Sequence, residues 1–225
     1  FGNVDQDKDL YEEDIYVGYR YFATFAPDKV MYPFGFGLSY TDFELSGAEY
    51  DFDGEKLVLK VNVRNVGSYE GKKSVMLYTS APSGKLGKPS RVLVGFAKTK
   101  LLQPQSSDTL TITAPKERFA SFDDDGRAGL GTGWLLEKGI YELFLGDNVR
   151  DAKSIGSFNI DETRMIEALE SALAPVESFK RLTRDGLEDV PVRKVEHVKD
   201  AASKVSAEIP QTGDKGIKLK DVKDG

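Results

Sequence analysis

The stretch best equipped for chemistry is Asp123-Asp124-Asp125-Gly126-Arg127-Ala128-Gly129-Leu130-Gly131-Thr132-Gly133-Trp134, with three adjacent carboxylates and four glycines ahead of the only tryptophan. A calcium loop needs oxygen ligands at alternate positions and a closing Glu. Asp123, Asp125 and Gly126 fit that pattern, but Ser121 and Thr132 stand at the first and twelfth places. A phosphate cradle needs a Lys after the glycines and then a helix, and Trp134-Leu135-Leu136 supplies neither. The plain alternative is a hairpin turned by Asp125-Gly126, with a flexible tip and a buried Trp134. On such a turn three neighbouring acids mostly repel one another and face water. His197, the single histidine, sits beside Glu196 with no second ligand near it, so it is assigned no chemistry. One histidine without a nucleophile elbow builds no Ser-His-Asp set. With no cysteine there is neither a disulfide nor a thiolate metal site. The residues thus imply no catalytic group, no metal and no cofactor.

The elements that would position this loop read as strands. Leu57, Leu59, Val61 and Val63 alternate with Val58, Lys60, Asn62 and Arg64, the half-buried period-two signal, and Asn65-Val66-Gly67 ends the run with turn chemistry. Further strands are predicted over Phe43–Tyr50, Ser74–Thr79, Arg91–Lys98, Asp108–Ala114, Ile140–Leu145 and Ser154–Ile160. That makes about seven, spaced as a β-sandwich requires. Beyond them, Ile166, Leu169 and Leu173 recur at helical intervals up to Pro175, predicting a short helix, with an extended strand along the surface as the alternative. Phe179 to Pro191 is charged and reads as irregular. Val195, Val198, Ala202 and Val205 predict a second helix over Val192–Val205. The chain is long enough, at 225 residues, for one large or two small domains. A net charge of -6 argues against nucleic acid or an anionic membrane as partner. No apolar run approaches the ~20 residues that span a bilayer.

The aromatic weight lies elsewhere. Of the 24 Phe, Tyr and Trp residues, 13 fall in the first 50 positions, so a packing seam is expected there. Pro33-Phe34-Gly35-Phe36-Gly37-Leu38 alternates rings with glycines. Extended, it would put Phe34 and Phe36 on one face and leave the other bare for a second backbone. That is the pattern of a connector pressed between two bodies. Asp5 to Asp14, acidic and polar, reads as a solvated loop leading into it.

Tyr16-Val17-Gly18-Tyr19-Arg20-Tyr21-Phe22, followed by Pro33-Phe34-Gly35-Phe36-Gly37-Leu38-Ser39-Tyr40-Thr41, resembles the junction of family-three glycoside hydrolases, β-glucosidase-like enzymes. There the end of an α/β sandwich domain passes into a fibronectin type III-like (immunoglobulin-like) β-sandwich. Asn65-Val66-Gly67 through Gly71, Val75-Met76-Leu77-Tyr78, Gly95-Phe96 and Gly139-Ile140-Tyr141-Glu142-Leu143, with Gly146 and Arg150-Asp151, resemble landmarks of that second domain. Ile209 to Val222 is similar to the lead-in to the TIM barrel in members with inverted domain order.

The resemblance implies a mainly β fold in three parts. Residues 1–40 would end the α/β sandwich, 41–160 form the fibronectin type III-like domain, and 161–225 make a partly helical linker toward a barrel. It also implies a retaining parent that removes terminal β-linked glucose. In the family the nucleophile Asp lies on the barrel and the acid/base Glu on the α/β sandwich. No acid of this chain matches either motif, so the expected role is structural and the catalytic set here is empty. The partners implied are those two domains and, through the parent, β-glucoside oligosaccharides; a homodimer is a further arrangement open to it. Trp134 is the one substrate-contact candidate, since an indole face stacks well on a pyranose ring. The alternative is a stand-alone carbohydrate-binding or adhesion module. A chain starting at Phe1 reads as a piece of something longer, in which targeting information can lie elsewhere. Lack of cysteine suits a reducing compartment, so a cytoplasmic setting is the expectation.

Overall fold

The computed structural model describes residues 10–170, 175 and 177–192. Strands β1 (Phe43–Phe52), β2 (Lys56–Asn65) and β5 (Ser107–Pro115) pair in the order β1-β2-β5. Against them stands a four-stranded sheet, β4-β3-β8-β9, made of β3 (Ser74–Ser80), β4 (Val92–Lys98), β8 (Gly139–Gly146) and β9 (Lys153–Ile160). These are the seven strands read from period two, each within a residue or two of its expected place. All their pairings are antiparallel.

The inner faces follow from the alternation. Leu57, Leu59 and Val61 on β2 lie opposite Ala114, Ile112 and Leu110 on β5, and all six are buried. They pack with Val75, Leu77, Val94, Tyr141 and Leu143 in one core. At the end of that core Phe158 stacks on Tyr141 at 5.1 Å and on Phe52 at 4.2 Å, with Phe119 edge-on. The Tyr141 hydroxyl donates to the Glu137 carbonyl at 3.0 Å, a tyrosine corner of the sort found in sandwiches. The Glu137 carboxylate takes Lys88 at 2.5 Å and the Lys85 backbone N–H at 2.8 Å, in almost complete burial.

Asn65, expected only to start a turn, is wholly buried and ties three segments together. Its carbonyl oxygen accepts from the Thr41 hydroxyl (2.7 Å) and the Gly67 N–H (3.1 Å). Its amide donates to the Tyr69 carbonyl (2.7 Å) and the Leu102 carbonyl (3.0 Å).

A second, small sheet sits beside the sandwich: β6 (Ser121–Asp123), β7 (Gly133–Leu136) and β10 (Arg164–Ala168), in the order β10-β7-β6. The helix expected from Ile166 is therefore a strand over Arg164–Ala168, the alternative reading. Backbone pairing decides it. Arg164 and Met165 ladder with Leu136 and Leu135, and the Leu169 N–H donates to the Thr132 carbonyl at 2.9 Å. Of the two described residues of the apolar series, Ile166 packs on the core and Leu169 is exposed, so together they form no buried helical face. Phe179 to Pro191 is not irregular either. It forms a hairpin of β11 (Phe179–Thr183) and β12 (Gly186–Val190), closed by Arg184-Asp185, with Gly186 at φ 124°. The Thr183 hydroxyl donates to the Gly186 carbonyl at 2.8 Å and fixes the turn. The helix expected beyond Val192, His197 and the tail from Ile209 to Val222 lie outside the described residues. Among the described residues no helix is long and apolar enough to cross a membrane.

Candidate functional site

The aromatic seam packs on the outer face of the four-stranded sheet. The β3–β4 ladder carries a β-bulge that leaves Val94 of β4 unmatched between Leu93 and Gly95. Along β3 the plain alternation gives Val75 and Leu77 to the core, while Met76 and Tyr78 serve a second cluster with Tyr19, Val149 and Phe144. Within the seam Tyr19–Phe25 forms a short helix, α1. Tyr19 is its pivot. The ring stacks on Phe34 at 4.6 Å and meets Tyr78 edge-on at 6.4 Å, and its hydroxyl accepts the Leu93 N–H at 2.9 Å. Thr24 and Ser90 add a polar seal: the Ser90 N–H donates to the Thr24 hydroxyl and the Ser90 hydroxyl to the Ala23 carbonyl, at 2.9 and 2.7 Å. Burial pushes the Tyr78 hydroxyl well above the ordinary tyrosine range, so it stays neutral.

Phe34 and Phe36 do not share a face. Pro33 to Phe36 is a tight turn, closed by the Phe36 N–H on the Pro33 carbonyl at 2.9 Å, with Gly35 at φ 92°. Phe34 turns to Tyr19 and Phe36 to Tyr32. The reading of Gly35 as a place of close backbone approach holds: a Cβ there would stand 2.5 Å from the Asp147 carbonyl oxygen. Gly37 has nothing within 4 Å and does not share that role. The loop from Asp147 to Asp151 is the receiving surface. The Val149 N–H donates to the Phe34 carbonyl at 2.9 Å, and Arg150 donates to the Pro27 and Val30 carbonyls at 3.1 and 2.5 Å.

The other side of the seam is bare. Phe34 is 42% exposed, Phe36 46%, Leu38 92% and Tyr40 95%. Between α1 and the Met31–Phe34 segment lies an open groove of about 750 Å³, lined mostly by apolar side chains, with Arg91 and Arg150 also in its lining. Arg91 lies over the Phe144 ring at 3.2 Å, and burial holds its pKa below the usual arginine value.

The Trp134 loop is the β6–β7 connection of a hairpin, as expected, although the whole of 124–132 makes the connection and not Asp125-Gly126 alone: Ser121, Phe122 and Asp123 ladder with Leu135, Trp134 and Gly133. Two details differ. Trp134 is not buried but 40% exposed, leaning on Phe122 at 5.3 Å. Nor do the three acids face water. Asp123 is fully buried, and its carboxylate accepts the N–H groups of Asp125, Arg127 and Ala128 at 3.3, 3.0 and 2.9 Å. Asp125 pairs with Arg127 at 2.9 Å and Asp124 with Arg181 at 2.6 Å. The carboxylate oxygens lie within 4.8 Å of one another, and cations of the protein itself neutralise the outer two. Beside Trp134 a cleft of about 520 Å³ is lined by Arg20, Arg118, Arg127 and Arg181 together with Asp14 and Asp124. Arg127 and Arg181 were missed from sequence, because their partners lie 61 and 57 positions away or in the incoming segment. The only local signal was Asp125-x-Arg127.

Residues 73–149 match the fibronectin type III-like domain. The chain is 48% identical over 225 residues to a β-glucosidase of Ruminococcus albus, covering 98% of this chain and 24% of that one. Among solved structures it superposes on a β-glucosidase from Paenibacillus barengoltzii with a TM-score of 0.80 at 45% identity, over 96% of this chain and 25% of the other. On β-glucosidase 3B from Thermotoga neapolitana, solved with α-D-glucose, it gives a TM-score of 0.63 at 42% identity, over 68% of this chain and 20% of the other. The chain spans about a quarter of the length of the first two of these relatives.

Proposed function

We propose that this chain, which belongs with the fibronectin type III-like portion of family-three glycoside hydrolases, braces the catalytic modules of a β-glucosidase-type parent and contributes no catalytic group. One observation carries the reading: a seam of Tyr19, Phe34 and Gly35 is pinned to the sandwich on one side, while Met31, Tyr32, Phe36, Leu38 and Tyr40 are left uncovered on the other. Apolar surface of that extent on a folded domain calls for a neighbour. In this reading residues 1–40 end an α/β sandwich, 41–160 are the brace and 161–225 lead to a barrel. The nucleophile Asp and acid/base Glu that a retaining hydrolysis needs, about 5–5.5 Å apart, are then supplied by those two neighbours.

The test is to incubate the isolated 225-residue chain with an aryl β-glucoside and, separately, with insoluble glucans. No turnover and no glucan retention are expected. Turnover by the chain alone contradicts the brace, and tight glucan binding favours an independent carbohydrate-binding module. The half-exposed Phe122–Trp134 pair supports a second, narrower role, in which Trp134 offers its face to sugar at the rim of the parent's site. Trp134→Ala in the assembled enzyme should then raise KM for disaccharides. Unchanged kinetics across substrate lengths would remove that role.

A further inference from the structure

A two-stranded hairpin is at best marginal in water by itself, and of the β11–β12 strand residues only Val190 is buried. Something else must hold this hairpin, and the contacts show what does. The guanidinium of Arg181, its side chain 15% exposed, grips both oxygens of Asp124 at 2.6 and 3.3 Å, and its Nε stands 3.2 Å from the Asp14 carboxylate. From the facing side Arg127 reaches Glu188 on β12 at 3.2 Å while holding Asp125 at 2.9 Å. A backbone bond joins the same regions, the Leu182 N–H donating to the Glu12 carbonyl at 2.6 Å. Arg184 adds a bond to the Ser83 hydroxyl at 3.1 Å.

Three distant pieces of chain therefore converge on two arginines. Glu12 to Asp14 is the segment arriving at the seam, Asp124 to Arg127 is the β6–β7 loop, and Arg181 to Glu188 follows the sandwich. We propose that Arg181 and Arg127 form an ionic clasp that fixes where the chain leaves the sandwich relative to where it arrives. Arg181 is a positioning residue in this scheme, acting through Asp14 and Asp124. The inference rests on the brace reading for its purpose, since a brace must hold both of its ends, but the clasp itself is a property of the isolated chain. The bidentate grip suits arginine: a lysine ammonium would hold one partner and release the others. The acidic loop thereby gains a use that neither a calcium site nor a plain turn explains.

The chain has no cysteine, so two introduced ones give a clean distance measurement. Nitroxide labels at Tyr11→Cys and Leu187→Cys, both exposed, report the span between incoming and outgoing segments by electron–electron double resonance. A single narrow distance distribution is expected. Arg181→Met keeps an aliphatic stem and removes the charge together with its N–H donors, and it should at least double the width; Arg181→Lys should fall between. Should Arg181→Met disturb the fold, as judged by amide exchange in β2, Arg127→Met decides in its place, with the same broadening expected. A distribution as narrow in the methionine variant as in the parent chain overturns the clasp. Because no activity is measured, that failure is separate from failure of the brace, which would appear as turnover or glucan binding.

Discussion

Asn65 shows how much a single buried amide can carry. Replacing it with leucine of similar size leaves the Tyr69 and Leu102 carbonyls, the Gly67 N–H and the Thr41 hydroxyl to find other partners. Each such orphan costs about 1–3 kcal/mol if it stays dry. Some relax toward water, so Asn65→Leu should lose on the order of 3 kcal/mol in urea denaturation, far more than Asn62→Leu on the solvent face of the same strand. Asp14 makes a subtler case. Burial outweighs the nearby Arg181 guanidinium and holds the Asp14 carboxyl above its ordinary value, with Asp124 adding repulsion. In the unfolded chain it titrates near ~3.9. Between the two values the folded protein keeps a proton that the unfolded chain has released, so stability falls as pH rises through that window and levels off above it. Asn does not titrate. The Tm of the parent chain relative to Asp14→Asn should therefore decline from pH 4 toward neutrality, and a rising or flat difference would contradict the assignment.

At the scale of elements the seam can be loosened without touching the core. Gly35→Ala puts a Cβ 2.5 Å from the Asp147 carbonyl oxygen and forces a side chain onto φ 92°. A strained residue of this kind costs roughly 1–3 kcal/mol. The chain can avoid that cost by undocking the Pro33–Phe36 turn, so amide exchange at Val149, whose N–H binds the Phe34 carbonyl, should accelerate at least tenfold. Gly37→Ala, with open space around it, should leave Val149 unchanged. The contrast also shows what sequence could and could not reveal. Alternation of the kind seen in Leu57–Val63, cut by turn residues, was enough to place the seven sandwich strands, because a strand with one buried face writes period two directly. Ring-glycine alternation in Phe34–Gly37 has the same period, yet it folds as a turn, since Gly35 takes a positive φ that no spacing rule predicts. Arg164–Ala168 and Phe179–Val190 were misread for a related reason. Their pairing partners, β7 in one case and each other in the other, outweighed a weak local pattern. The acidic loop looked solvated because its neutralising arginine, Arg181, is 57 positions away from Asp124.

At the scale of the whole molecule two forces oppose each other when the chain is studied alone. The uncovered rings and methyls from Met31 to Tyr40 favour association, and a net charge of -6 opposes it. The charge repulsion is long-ranged at low ionic strength, but the Debye length shrinks to about 8 Å at 0.15 M salt, while burial of the seam barely depends on salt. Self-association should accordingly strengthen as salt is raised, the reverse of what an ion-paired interface would do. Sedimentation velocity across 0.02–0.5 M salt checks this (the range is roughly where screening passes from weak to strong). Leu38→Glu with Tyr40→Glu supplies the control: both side chains stand almost wholly in solvent, so charging them should abolish association and leave Tm within about a degree, as surface changes usually do. A parent chain that stays monomeric at every salt concentration would mean that its apolar seam is tolerated in water. The strongest physical reason for expecting a covering neighbour would then be gone.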